Sequence, residues 1–113
     1  MTEHLFICLL VSMQATESQI VQLVDVFRLL GDATRLKIVL TCLESPVAVG
    51  EIAGRLQVSA SLVSHHLRLL RAARLVASER QGKLVYYRAA DQHVVDLLTD
   101  MLVHVDEPIG EAE

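Results

Sequence analysis

Aromatic residues are scarce in this chain: its 113 residues include no tryptophan, two tyrosines and two phenylalanines. The apolar fraction is nevertheless 52%, so the core must be aliphatic, which suits packed helices rich in Leu, Val and Ala. A chain of this length fits one domain with a modest core. We therefore expect a small, helix-rich protein that gains stability by dimerisation.

Long apolar runs and cysteine motifs are also missing. The longest unbroken apolar run, residues 5–11, is far shorter than the roughly 20 residues that span a bilayer. It is preceded by Glu3 and His4, where a signal peptide has Lys or Arg. Two cysteines, Cys8 and Cys42, provide neither a disulfide framework nor a Cys-x-x-Cys metal knuckle. We therefore expect a cytoplasmic protein that has no membrane partner.

The net charge of −4 at first argues against a nucleic-acid partner, but the distribution of the charges reverses that argument. Seven of the ten basic residues lie between Arg55 and Arg88, together with a single acid, Glu79. From Ala89 onward there are seven acids and neither Lys nor Arg. This asymmetry predicts that the middle of the chain meets phosphate and that its acidic end meets cations.

The spacing of apolar residues and of capping residues predicts five helices and a hairpin. Gly31 ends the first helix, and Asp32, Ser59 and Asp91 are suited to cap later ones. The helices are expected over residues 18–30, 33–43, 49–56, 60–73 and 92–106, and the strands over 75–79 and 84–88.

Two of these helices, separated by the three-residue turn 57–59, precede the strands. That order is typical of a helix-turn-helix followed by a β-hairpin wing. We therefore predict a mainly α fold with a β-hairpin wing, a winged helix-turn-helix, that forms a homodimer through its terminal helices. Residues 1–16 are expected to be an N-terminal extension, 17–107 the folded domain and 108–113 an acidic tail. Met13 is an alternative start, because the periodic pattern begins after it.

A polar stripe on the second helix of the predicted motif is a candidate for contact with DNA. Ser61, Ser64, His65 and Arg68 follow i, i+3, i+4, i+7 spacing, which places them on one helical face. Small hydroxyls and an imidazole can reach base edges in the major groove, while Arg68 can reach phosphate. The alternative is an ordinary solvated face, and His66, off the stripe, is expected to be partly buried with its hydrogen bonds satisfied.

The tip of the predicted hairpin carries basic residues suited to the DNA backbone in the adjoining minor groove. A basic turn alone does not indicate DNA binding, because loops are usually polar. The prediction therefore depends on the candidate DNA-binding helix that precedes the hairpin. The candidate DNA-binding residues are Ser59, Ser61, Ser64, His65, Arg68, Arg80 and Lys83.

The last predicted helix carries metal-ligand residues at both of its ends: Asp91, His93, His104 and Glu107. His93 and His104 share a face but lie roughly 16 Å apart along the axis, whereas zinc holds its N and O ligands at about 2.0–2.2 Å. The four residues can close around an ion only if two copies of the helix lie antiparallel across a two-fold axis, with Leu97 and Met101 packed between the sites. The alternative is a pair of surface histidines on a charged helix.

Three stretches of the chain resemble the ArsR/SmtB family of dimeric winged-helix repressors: residues 27–38, 59–70 and 81–87. The resemblance covers nearly the whole span from Val26 to Glu107. It implies DNA contacts from Ala60, Ser61, Ser64 and His65, although Ala60 offers no side-chain hydrogen bond.

One subgroup of that family binds Zn(II), or relatives such as Co(II), between its C-terminal helices through Asp-x-His and His-x-x-Glu/His. Asp91, His93, His104 and Glu107 match this pattern. The resemblance further implies that the second ring nitrogen of His104 donates to the backbone carbonyl of Arg74, an allosteric link between metal and DNA.

Other metal sites of the family are disfavoured by what this sequence lacks. Residues 47–51 contain no Cys-Val-Cys segment, which disfavours arsenite, lead and cadmium sensing through thiolates. Nickel-sensing relatives add ligands to reach six-coordination, for which this chain offers only His4. Two imidazoles and two carboxylates suit tetrahedral zinc better, although Co(II) or Ni(II) stays an alternative.

The predicted function is that of a homodimeric repressor, not an enzyme, that binds double-stranded operator DNA and releases it when Zn(II) binds. No small organic substrate is expected. One alternative is a repressor of the same fold that senses oxidants or persulfide through Cys8 and Cys42. Others are a DNA-binding module without a metal sensor and a metal-dependent enzyme using His65 and His66, for which the chain has no nucleophile–base constellation.

Overall fold

Helix α1 (Glu17–Leu30) begins at a capping box. The Thr16 hydroxyl accepts the backbone N–H of Gln19 at 3.0 Å, and the Gln19 side chain accepts the backbone N–H of Thr16 at 2.9 Å. The box satisfies two N-terminal donors and begins the helix one residue before the predicted position. The computed structural model describes residues 14–110, so Cys8, Met13 and the end of the predicted acidic tail lie outside the described residues.

Helix α2 (Ala33–Thr41) begins at the predicted cap, where the Asp32 carboxylate accepts the backbone N–H of Arg35 at 3.0 Å. Its Arg35 side chain donates to the Leu29 carbonyl at 2.9 Å and so joins α2 to the end of α1. The prediction that α2 continues to residue 43 was wrong by two residues, because Cys42 leaves helical geometry and forms the C-cap.

Helices α3 (Val49–Leu56) and α4 (Ala60–Ala72) form the predicted helix-turn-helix. The turn between them is possible because Gln57 adopts a left-handed conformation, with φ of 57°. The Ser59 hydroxyl then caps α4 by accepting the backbone N–H of Leu62 at 3.1 Å.

The wing is an antiparallel hairpin of β2 (Val76–Gln81) and β3 (Leu84–Ala89). The strands extend closer together than predicted, and only Gly82 and Lys83 connect them. Gly82 has a φ of 65°, which suits the first position of a two-residue hairpin loop. A short strand missed in the sequence, β1 (Val47–Ala48), pairs with β3, so that the sheet order is β1-β3-β2.

The core is aliphatic, as its composition predicts, and lies among α2, α3 and α4. No polar or charged residue is buried among residues 14–110. The side chains at 0% exposure come from these three helices: Ile38, Val39, Ile52, Val63, Leu67 and Leu70.

The terminal helices leave apolar side chains uncovered by their own chain. In α1 only Leu29 is buried, whereas Val21 is 64% exposed. Helix α5 (Gln92–Asp106) buries Val94 and Leu98 but exposes every residue from Met101 onward. Within residues 14–110, no helix combines the length and the apolar character needed to cross a membrane.

Candidate DNA interface and metal-ligand residues

The predicted polar stripe lies on the surface of α4. Ser61, Ser64, His65 and Arg68 are all exposed, on the face opposite the buried Val63, Leu67 and Leu70. Leu62 and Leu69 of the same helix are also partly exposed, at 40% and 37%. The stripe itself combines hydroxyls, an imidazole and a guanidinium, which is a composition that can contact base edges.

His66 is half-buried, as predicted, but its hydrogen bonds are not satisfied as expected. Its Nδ1 is buried and has no hydrogen-bond partner in the described residues. Burial lowers the pKa of His66, the charges of Arg35 and His65 add to that effect, and Asp32 opposes it. His66 thus lies beside the start of α2, where Asp32 and Arg35 influence its pKa, and away from the exposed stripe of α4.

The basic residues of the predicted interface are not neutralised by acids. Arg80 and Lys83 are exposed at the tip of the wing. Neither they nor Arg68 take part in an ion pair among residues 14–110, where arginine pairs occur only between Arg28 and Asp25 and between Arg55 and Glu51. Free guanidinium and ammonium groups near an exposed polar helix are suited to phosphate.

Sequence reasoning missed Arg71 and Tyr87, which line a cleft of about 480 Å³ together with Ser64, Arg68 and Ala72. Arg71 follows Arg68 by three residues, and this helical spacing was a signal that could have identified it. Tyr87 belongs to β3, and its position beside α4 depends on packing between elements far apart in the sequence.

The four metal-ligand candidates are exposed at the two ends of α5. Asp91 is the N-cap, and its Oδ1 accepts the backbone N–H of Val94 at 3.1 Å and lies 3.6 Å from the Nδ1 of His93. His104 is in the last turn, and Glu107 donates its backbone N–H to the His104 carbonyl at 3.3 Å.

The fold of one chain therefore brings the side chains of Asp91 and His93 close together and keeps His104 and Glu107 within one helical turn, but it does not bring the two pairs together. Within residues 14–110, no three His, Cys, Asp or Glu side chains are grouped closely enough to hold a metal ion. This separation is the one that the helical spacing predicts for a single chain, and the assignment of the four ligands stays a prediction.

Arg74, the predicted partner of His104, lies just after α4 in a left-handed conformation with φ of 61°. Its guanidinium donates to the Gln22 side chain at 3.4 Å and so connects the end of α4 to α1. Its backbone carbonyl accepts none of the hydrogen bonds formed outside helices and strands by residues 14–110. The carbonyl is thus available as an acceptor.

Cys42 has an environment that disfavours redox chemistry. The side chain is 1% exposed, and burial raises the pKa of its thiol to about 11, against a smaller opposing effect of Arg55. Because the thiolate is the reactive form of cysteine, these observations argue against redox sensing through Cys42, whereas Cys8 lies outside the described residues.

Comparison with known sequences identifies similar regulatory proteins. The family described as "bacterial regulatory protein, arsR family" matches residues 32–78. The "transcriptional repressor SmtB homolog" of Synechocystis sp. is 38% identical over 86 residues, covering 76% of this chain and 65% of that protein. The "cadmium resistance transcriptional regulatory protein CadC homolog" of Staphylococcus aureus is 39% identical over 83 residues, covering 73% and 69% respectively. The chain thus spans about two thirds of the length of these relatives.

A solved structure with the same architecture is the homodimeric winged helix-turn-helix DNA-binding domain of Mb0332 from Mycobacterium bovis. Its TM-score is 0.76 at 27% sequence identity, and the match covers 83% of this chain and 90% of that one. The two relatives are described as a transcriptional repressor and a transcriptional regulatory protein, and the structure as that of a possible ArsR-family transcriptional regulator, so the similar proteins are regulators with a winged-helix fold and not enzymes.

Proposed function

Because the chain belongs to the ArsR/SmtB family of winged-helix transcriptional repressors, we propose that its homodimer binds operator DNA and releases it when zinc binds between the terminal helices. The proposal has three parts, namely DNA binding by α4 and the wing, dimerisation through α1 and α5, and a metal site shared by two chains. The metal-sensing part of the proposal rests on one observation, namely that the two pairs of candidate ligands lie at opposite ends of α5.

The DNA-binding part is supported by the exposed stripe of α4 and the unpaired basic groups near it. In a helix-turn-helix the second helix enters the major groove, and a dimer places two such helices about 34 Å apart. Ser61, Ser64 and His65 are then available to base edges, and Arg68, Arg80 and Lys83 to phosphates. Ser59 is engaged in capping α4, so its contribution is to hold the helix start in place.

Dimerisation is supported by the apolar side chains that α1 and the second half of α5 expose. In α1 these include Val24 at 59% and Phe27 at 55% exposure, and in α5 they include Met101 at 46% and Leu102 at 50%. Contiguous exposed apolar surface marks an interaction site. A second copy of the chain is the partner, because an antiparallel pairing of α5 with itself also brings the ligand pairs together.

The donor set fits zinc, since two imidazoles and two carboxylates can complete a tetrahedral site. Asp91 and His93 of one chain would hold the ion together with His104 and Glu107 of the other, and symmetry would produce two sites. Zinc would supply positive charge and a fixed tetrahedral geometry. The ring nitrogen of His104 that is not used for the ion would donate to the Arg74 carbonyl, and the position of Arg74 at the end of α4 makes it the link to the DNA-binding face.

Zinc titration by calorimetry tests the site. We expect stoichiometric binding by the wild-type dimer and loss of that binding in His104→Ala. Asp100→Asn is the matched control, because Asp100 is an exposed acid of the same helix outside the ligand set. Stoichiometric binding by His104→Ala at wild-type affinity would refute the site.

Operator affinity measured with and without zinc tests the response. Coupling of typically about 1–3 kcal/mol corresponds to a weakening of roughly 5–150-fold. By linkage, DNA must weaken zinc binding by the same factor. Unchanged operator affinity in the presence of bound zinc would leave the chain as a DNA-binding module without a metal sensor.

A further inference from the structure

The cleft beside α4 has the chemistry of an anion site. It is lined by Ser64, Arg68, Arg71 and Ala72 of α4 and by Tyr87 of β3, and its volume is about 480 Å³. The lining thus provides two guanidinium groups and two hydroxyls, and it includes no carboxylate. Arginine presents several donors in a planar fork, which matches the oxygens of a phosphate group.

The two arginines have no acidic partner that would neutralise them. Among residues 14–110, neither Arg68 nor Arg71 takes part in an ion pair. Residues three apart on a helix are neighbours, and like charges there repel each other. An anion between the two guanidinium groups would therefore relieve a repulsion that the protein alone does not compensate.

The register of the wing keeps the one acid of the basic region away from this cleft. Tyr87 is opposite Ser78, and Glu79 is opposite Tyr86. Because successive side chains of a strand point to opposite faces and paired residues share a face, Glu79 projects from the face opposite to that of Tyr87. The cleft therefore keeps its positive charge.

The position of the cleft indicates which anion it binds. If α4 enters the major groove and the wing tip reaches the adjoining minor groove, the sugar-phosphate strand between the grooves must pass between α4 and the hairpin. The cleft lies between these two elements. We infer that it binds a backbone phosphate of the operator, with Arg71 and Tyr87 as contacts in addition to Arg68 and Ser64. This inference rests on the proposed DNA binding.

The salt dependence of DNA binding tests the role of Arg71. The ligand is a duplex selected by the wild-type dimer from random-sequence DNA, and the dissociation constant is measured by fluorescence anisotropy at several KCl concentrations. Each phosphate contact contributes about 0.9 to the slope of log K against log salt. We expect Arg71→Gln to lower the slope by about 2 per dimer and the affinity by about tenfold, with Arg71→Lys restoring most of the slope.

Two further variants separate a specific contact from a change of net charge. Lys37→Gln removes a positive charge from an exposed position of α2 and is expected to leave the slope unchanged. Tyr87→Phe keeps the half-buried ring and removes only the hydroxyl, so it should weaken binding by about threefold without changing the slope. Arg71→Gln should weaken a scrambled duplex as much as the selected one, since phosphate contacts carry no base preference.

The outcomes distinguish this inference from the proposed function. If the wild-type dimer selects no duplex, the proposed function fails. If the wild-type dimer binds DNA and Arg71→Gln shows the same salt slope and the same affinity as the wild type, only the cleft assignment is overturned. If that variant binds DNA normally while inorganic phosphate raises the wild-type Tm and not that of Arg71→Gln, the cleft binds free phosphate and the DNA assignment is equally overturned.

Discussion

The proposed DNA-binding face on α4 and the proposed metal ligands on α5 differ in how far a single chain assembles them. On α4, Ser61, Ser64, His65 and Arg68 are adjacent on one exposed face of a helix. On α5, the ligand pairs lie at opposite ends, and within the described residues the single chain forms no metal-ligand cluster. Under the proposed function, α4 presents its DNA-contacting residues within one chain, whereas the metal site of α5 would need a second copy of the chain.

The two helices also differ in how many of their apolar side chains one chain buries. Helix α4 is anchored by Val63, Leu67 and Leu70, all at 0% exposure. Helix α5 is anchored only by its first half, through Val94 and Leu98. The folding of one chain therefore accounts for the position of α4, while the second half of α5 leaves its apolar side chains exposed in the single chain.

The largest expected effect concerns the anchoring of α4. Leu67→Ala removes a fully buried side chain and should lower the free energy of unfolding by about 2–5 kcal/mol, measured by urea denaturation. Leu69→Ala, on the same helix at 37% exposure, is the control and should cost less, about 1.5 kcal/mol at most.

In α5, Met101→Ala should instead raise the dissociation constant of the dimer, measured by sedimentation, and make the unfolding midpoint more dependent on protein concentration. An unchanged dimer dissociation constant would contradict an interface formed by the second half of α5.

A smaller effect separates the two roles of Asp91, which caps α5 and is a candidate ligand. Asn caps a helix about as well as Asp, so Asp91→Asn should change the unfolding free energy by less than about 0.5 kcal/mol. It should nevertheless weaken zinc binding by at least about tenfold, since metal sites lose that much even when a supporting group is removed. Asp91→Ala should lower both the free energy of unfolding, because the cap is lost, and the affinity for zinc, because the ligand is lost. Unaltered zinc affinity in Asp91→Asn, measured by calorimetry, would leave Asp91 as a cap only.

The smallest effect distinguishes capping from DNA contact within α4. Ser59→Ala removes the hydroxyl that caps the helix and should cost about 1 kcal/mol of stability, measured by denaturation. Ser61→Ala, two residues later on the exposed stripe, should leave stability within about 0.5 kcal/mol of wild type and alter the base preference of the selected duplex. Equal stability losses in both variants would show that the stripe is structural.

Local signals in the sequence were sufficient for most of the fold. Asp32, Ser59 and Asp91 cap the three helices that they were predicted to cap, because capping depends on residues within one turn. The spacing of apolar residues identified the helices themselves for the same reason.

Long-range pairing accounts for what the sequence analysis missed. Strand β1 has two residues and exists only because it pairs with β3, about forty positions away. The place of Tyr87 beside α4 likewise depends on how the wing and the helix pack. Neither of these features has a periodic signature within its own segment.

The amino-acid sequence by itself determined the order of elements, the family and the distance between the ligand pairs of α5. Each of these follows from local spacing, since a helix of known rise sets the distance between its residues. Only the tertiary structure decided that Arg71 and Tyr87 share a cleft with Arg68. The physical reason is that a cleft and a core are made by surfaces from distant segments, whose contacts form when the chain packs.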